Sequence, residues 1–267
     1  MLTLSSIILN NTQKKKLFFN NKTSITYENL INFIKQNQTN LKEIKFSNVV
    51  IKHCSSINFA KLLILLDGNS NRILFLPNDI SDDFHKEYYT QCDIHYEVYL
   101  ENDILKYNYI NKNTKSSIKF TSWIIPTSGT TKKPKLVAHT LENLTKSLKK
   151  NNSKYNNICW GLTYDIYRFA GIQVLLQSLL TNASIILPEN PQSFNETIEE
   201  FINYDCTALS ATPSFWKKAL MLPQFSNLNL KIITLGGEIA DKNILQNLQN
   251  LFKNAKLYYF VFQQGLL

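Results

Sequence analysis

Cysteine, histidine, glycine and proline are all sparse, and each shortage removes a class of protein from consideration. The four cysteines, Cys54, Cys92, Cys159 and Cys206, lie far apart with no C-x-x-C pair. That excludes a disulfide framework and fits thiols buried singly in a reducing cytosol. The four histidines, His53, His85, His95 and His139, fall at no metal-ligand spacing. With seven glycines and seven prolines, no stretch reads as a Pro- or Gly-rich linker, and no internal repeat is visible. No apolar run approaches the roughly 20 residues of a membrane span. The first residues lack the basic stretch and cleavage site of a secretory leader. A cytoplasmic protein without a membrane span is expected.

What is present is enough to fold. Of 267 residues, 44% are hydrophobic and 18% charged, sufficient for a substantial core in one or two domains. The net charge of +9 could signal a nucleic-acid partner. The lysines are scattered, however, the longest basic run is Lys14-Lys15-Lys16, and no basic stripe alternates with aromatics. Abundant Lys, Asn and Ile resemble the coding bias of an AT-rich genome. The charge is therefore read as background, with nucleic-acid binding the weakest function, although phosphate-bearing ligands would still meet a favourable field.

Hydrophobic patterning alternates between short β-branched runs and amphipathic stretches. Val49-Val50-Ile51 reads as a strand, Ile57 to Leu66 as a helix and Arg72 to Pro77 as a strand, a βαβ unit with its turn at Asp67-Gly68-Asn69-Ser70. Residues 1–46 read as a leading segment in which Ser24 or Thr26 caps a helix bearing Leu30, Ile31, Phe33 and Ile34. Residues 80–117 hold one helix and one or two short strands. Thr140, Ser193, Thr212 and Asp241 each open a helix, and strands are expected at Ile158–Leu162, Ala183–Leu187, Lys231–Leu235 and Lys256–Phe262. The expected class is α/β, with largely parallel sheets and flanking helices.

One stretch concentrates chemistry. After the run Ile118 to Ile125 come Pro126-Thr127-Ser128-Gly129-Thr130-Thr131-Lys132-Lys133-Pro134-Lys135. Hydroxyls, a glycine that lets backbone approach a ligand, and ammonium groups are what a polyphosphate requires of a loop. The same composition would also suit a solvated turn. It is not a Walker A loop, since no second glycine precedes Lys135 and Leu136 stands where Ser or Thr would hold magnesium.

The order Thr127, Ser128, Gly129, Thr130, Thr131, Pro134, Lys135 resembles the signature Thr-Ser-Gly-Thr-Thr-Gly-x-Pro-Lys of the adenylate-forming (AMP-binding) superfamily. That superfamily includes acyl-CoA synthetases, aryl-CoA ligases and peptide-synthetase adenylation domains. Lys132 replaces a glycine of the signature. Three later stretches resemble the superfamily in the same order: Tyr164 to Gln173, Ser210 to Trp216, and Leu235-Gly236-Gly237-Glu238. The resemblance spans roughly residues 118–262, with the part before it motif-poor. By residues alone, Trp216 reads as core, Glu238 as an exposed turn residue, and Arg168 as either a surface cation or a contact for a carboxylate or phosphate.

The resemblance implies ATP and Mg2+ and an acyl-adenylate made from a carboxylic acid, with CoA or a carrier protein accepting the acyl group. Thr127, Ser128, Gly129, Thr130, Thr131 and Lys135 would grip the outer phosphates. Gly236, Gly237 and Glu238 would border adenine and the acyl group, and Arg168, Gly171 and Thr212 would line the acid pocket. The whole of 1–267 would be an incomplete N-terminal domain of the adenylate-forming fold, divided near residue 115, with the C-terminal domain absent. After Lys256–Phe260 the superfamily carries a metal-binding glutamate; here the chain reads Val261-Phe262-Gln263-Gln264-Gly265-Leu266-Leu267. Codons available to Phe262–Leu266 read Ser-Thr-Gly-Ala in a shifted frame, so a frameshift in a longer gene is one expectation. The alternatives are a non-catalytic nucleotide- or acyl-binding fragment, or a half-enzyme completed by a second chain.

Overall fold

A computed structural model describes residues 2–11, 15–112, 120–127, 134–148, 157–189 and 193–260. Its first elements are α1 (Leu4–Leu9), β1 (Lys16–Phe19), β2 (Ser24–Thr26), α2 (Tyr27–Gln36), α3 (Gln38–Glu43), β3 (Asn48–Lys52), α4 (Ser56–Leu66) and β4 (Arg72–Leu76). There follow α5 (Asp82–Gln91), β5 (Tyr96–Glu101), β6 (Ile104–Tyr109), β7 (Ser122–Pro126), β8 (Leu136–His139), α6 (Leu141–Thr145) and β9 (Cys159–Leu162). The last are α7 (Phe169–Leu180), β10 (Ser184–Ile186), α8 (Phe194–Asn203), β11 (Ala208–Ala211), α9 (Pro213–Ala219), β12 (Ile232–Gly236), α10 (Lys242–Leu251) and β13 (Lys256–Phe260). They form two compact units, one of residues 1–16, 25–148 and 166–176, the other of 17–24, 149–165 and 177–267.

The first unit holds a six-stranded sheet in the order β6-β5-β3-β4-β7-β8. Strands β5, β3, β4 and β7 run parallel, and β6 and β8 close the two edges antiparallel. Val49, Val50 and Ile51 on β3 and Ile73 to Leu76 on β4 are all buried, the pattern of parallel strands covered on both faces. Helix α4 is buried from Phe59 to Leu66, and Ser55 caps it through Oγ, which accepts the Asn58 N–H. It ends at Asp67, followed by Gly68 at φ +80°. A Cβ on Gly68 would come within 2.4 Å of Thr3 Cγ2, so both conformation and space demand glycine there.

Asp67 is buried and ties three segments together. Its Oδ2 accepts the Leu4 N–H at the start of α1 (2.9 Å), and its Oδ1 accepts the indole N–H of Trp123 on β7 (3.1 Å). Loss of water outweighs these two donors and raises its carboxyl to about 6.

The second unit is a seven-stranded sheet in the order β13-β12-β11-β9-β10-β1-β2, parallel from β13 through β1. Helices α8, α9 and α10 pack Phe201, Trp216 and Leu248 on one face, together with Phe225 and Phe252. Gly161 on β9 makes room for that packing: a Cβ there would sit 2.5 Å from Leu209 Cδ2 and 2.8 Å from Phe201 Cε1. From β9 the chain steps to β10 on one side, then crosses back to β11 on the other. Such a reversal opens a crevice at the C-terminal ends of the two strands, here β9 and β11.

The α/β class with mostly parallel sheets is as expected, as are the caps at Thr26, Thr140, Ser193, Thr212 and Asp241. Boundaries shift by one or two residues: the apolar helix expected over residues 171–180, α7, starts at Phe169, and β12 runs Ile232–Gly236. The leading segment holds more than one capped helix. It also contributes α1, β1 and β2, and Phe18 of β1 pairs with Ile185 of β10. A three-residue apolar run such as Leu17-Phe18-Phe19 is too short to declare its partner.

Two outcomes follow from this packing. With a folded-state pKa above the unfolded value, Asp67 favours folding most below about pH 4, and that contribution is lost as pH rises through about 6. Against Asp67→Asn, the wild-type urea midpoint should therefore fall across this window, by the equivalent of about 3 kcal/mol; parallel curves for the two proteins would refute the buried carboxylate. Gly161→Ala should lower stability by about 1–3 kcal/mol through overpacking, read from the same urea titration, and an unchanged midpoint would show that Leu209 and Phe201 yield freely.

Candidate functional site

In the first unit the chemistry-rich stretch connects β7 to β8. Its neck is closed twice: the Thr127 N–H donates to the Lys135 carbonyl (2.8 Å), and the Lys135 N–H donates to Thr127 Oγ1 (3.2 Å). The second bond uses the Thr127 hydroxyl as an acceptor, so its proton stays available to an anionic oxygen. Both bonds use only the backbone of Lys135, which is exposed, leaving its side chain uncommitted by the neck. Ser128, Gly129, Thr130 and Thr131, with Lys132 and Lys133, lie outside the described residues.

Side chains from elsewhere in this unit hold the two carbonyls flanking the neck. The Tyr88 hydroxyl, on α5, donates to the Pro134 carbonyl (2.7 Å). Arg168, immediately before α7, donates from Nη1 to the Pro126 carbonyl (3.0 Å) and from Nη2 to both carboxylate oxygens of Asp79 (2.6 Å each). The guanidinium thus meets a carboxylate belonging to the chain itself. Gly171 is buried in the first turn of α7, one position before Ile172, whose N–H donates to the Arg168 carbonyl.

In the second unit the residues gather at strand ends. Thr212, after β11, caps α9 through Oγ1, which accepts the Phe215 N–H (3.2 Å). Gly236 ends β12, and Gly237 takes φ +84°. A Cβ on Gly237 would touch only Thr212 Cγ2, at 3.7 Å, so backbone conformation rather than space requires glycine. Glu238 Oε2 accepts from the Ser214 N–H (3.0 Å) and hydroxyl (2.6 Å), placing its negative charge at the positive end of α9. The Glu238 carboxylate is therefore exposed yet engaged. Trp216 is buried, with its indole N–H on the Thr234 carbonyl (3.2 Å), which makes it core.

Thr212, Gly237 and Glu238 are brought together, and Thr127, Lys135 and Arg168 form a second group in the other unit. Sequence reasoning did not single out four contributing side chains. Asp79 and Tyr88 lie 89 and 46 residues from their partners, so no local spacing links them. Tyr164 and Ser210, at the ends of β9 and β11, hydrogen-bond through their side chains; burial raises the Tyr164 pKa, and the Glu238 charge adds to the effect. The reversal of strand order between β9 and β11 is the signal that could have found that pair. Burial also pushes the Cys54 and Cys92 thiols up to about 11, making them poor nucleophiles.

The polar groups at the neck fit a polyphosphate: a hydroxyl proton, a backbone turn and an ammonium. Among the described residues, no group of three or more His, Cys, Asp or Glu side chains could hold a metal ion.

Comparison with known proteins agrees with the motif. Residues 77–260, more than half of the chain, match the family described as AMP-binding enzyme. The chain is 27% identical over 157 residues to the dimodular nonribosomal peptide synthase of Bacillus subtilis (strain 168), covering 55% of this chain and 6% of that protein. It thus spans only a small part of the curated relative's length. Among solved structures it is similar to the N-terminal subdomain of Klebsiella oxytoca NpsA in complex with anthranilyl-AMSN, with a TM-score of 0.75 and 16% identity over 97% of this chain and 72% of that one. VinN in complex with L-aspartate gives 0.73 and 12% over 96% and 76%. The luciferase-like enzyme from the nonluminescent Zophobas morio mealworm gives 0.75 and 16% over 99% and 72%. At such identities the fold is what is shared. By its match over residues 77–260, the chain belongs to the AMP-binding enzyme family.

Proposed function

We propose that residues 1–267 are the nucleotide- and acid-binding N-terminal domain of an adenylate-forming ligase, and that the loop from Thr127 to Lys135 takes the outer phosphates of ATP. The observation that carries this reading is the doubly closed neck, which sets a hydroxyl donor beside an ammonium-bearing residue at the C-terminal end of a parallel strand. When bound, ATP supplies the α-phosphorus that a carboxylic acid attacks, with pyrophosphate leaving. The chain's part is positioning and charge stabilisation. Thr127, Ser128, Thr130, Thr131 and Lys135 hold the triphosphate, with Gly129 allowing close backbone approach. Gly236 and Gly237 offer a flat backbone edge to adenine. Because the Glu238 carboxylate caps α9, its share in ligand binding comes from its backbone. Thr212 and Gly171 border the acid.

The thiol acceptor is a carrier protein or CoA, and the likeness to a peptide synthase favours the carrier. Magnesium would arrive with the triphosphate. A cytoplasmic setting is favoured by four free cysteines, and none of the described helices is long and apolar enough to cross a membrane.

In a thermal-shift titration, ATP with magnesium should raise stability by about 2.7 kcal/mol at a hundredfold excess over Kd; no shift at millimolar nucleotide would overturn the proposal. Lys135→Ala leaves both neck bonds in place, so it should weaken ATP binding about tenfold or more without changing the midpoint of the ligand-free protein.

A further inference from the structure

The Arg168 side chain is only 17% exposed, yet it precedes a helix whose N-terminal end repels a cation. Its position needs an anion, and Asp79 supplies one at 2.6 Å from Nη2. The remaining arm of the guanidinium reaches the carbonyl of Pro126, the last residue before the loop. At the loop's other end the fully buried Tyr88 holds the carbonyl of Pro134. Asp79 lies in the turn between β4 and α5, and Tyr88 lies on α5, so a single strand–turn–helix segment acts on both ends of the loop.

We infer that Arg168, locked by Asp79, is a positioning residue for the neck formed by Thr127 and Lys135, and that Asp79, Arg168 and Tyr88 together fix where those two residues meet the outer phosphates of the nucleotide. This rests on the proposed role of the loop and differs from a direct contact between Arg168 and the substrate acid. The planar guanidinium can span two acceptors in fixed directions, and an ammonium cannot. Paired with Asp79, the arginine adds little net charge to the site, so its effect lies in geometry. Displacing a binding loop by a fraction of its contact distance is enough to lose an oriented contact.

The test measures the affinities of ATP, inorganic triphosphate and AMP by titration calorimetry in wild type, Arg168→Lys, Arg168→Gln, Asp79→Asn and Tyr88→Phe. The double variant Asp79→Asn/Arg168→Gln is included. Each single variant should weaken ATP and triphosphate by a similar factor of about tenfold and leave AMP nearly unchanged. Arg168→Lys should be as impaired as Arg168→Gln, and the double variant no worse than either single one, since the two residues act as a unit. Asp79 is 69% exposed, so Asp79→Asn is expected to fold and carries the test if the arginine variants do not. Wild-type affinity in Arg168→Lys, additive losses in the double variant, or equal losses for AMP would overturn the clamp. Failure of the wild type itself to bind ATP and triphosphate would instead overturn the role of the loop, and the clamp with it.

Discussion

A buried carboxylate governs much of the first unit. Asp67 has lost its water, and two donors replace it: the first amide of α1 and the indole of Trp123. A carboxylate stripped of water tolerates little movement in its partners, because leaving either donor unpaired adds a further desolvation cost. Trp123 lies on β7, and β7 leads directly into Thr127. Helix α4, whose C-terminal end carries Asp67, is almost wholly buried. The strand that delivers the loop is thus fixed from beneath by an interaction that has no chemical role of its own.

The same economy appears at the strand ends. Parallel strands deliver their C-terminal ends to one side of a sheet, and in both units the candidate residues lie there: Thr127 after β7, Thr212 after β11, Gly237 after β12. Side chains that could have faced a ligand are largely used to build the backbone around it. Thr212 and Glu238 cap α9, and Arg168 and Tyr88 hold carbonyls. Among the described residues of the first unit, what is left for a ligand is the Thr127 hydroxyl proton and Lys135, a set suited to a polyanion.

Local chemistry was legible in the sequence and long-range pairing was not. Caps at Thr26, Thr140, Ser193, Thr212 and Asp241 each involve residues within three positions, and all five form as their neighbours dictate. The alternation of short apolar runs with amphipathic stretches was sufficient to read parallel α/β sheets. The loop motif was readable because its residues are contiguous. By contrast, the arginine before α7 could be read equally as a surface cation or a ligand contact, since its partner Asp79 belongs to a distant turn. Asp67 looked like an ordinary turn residue because burial, which sets its chemistry, comes from Leu4 and Trp123.

Strand β1 has one more consequence. Phe18 and Phe19 become interior residues of the second sheet only by pairing with Ile185 and Ile186 of β10. During synthesis those two phenylalanines emerge early and must wait, unpaired, until the tenth strand has left the ribosome. Assembly of that sheet is thus deferred by chain order, and a greasy leading segment stays available to chaperones or to wrong partners in the meantime.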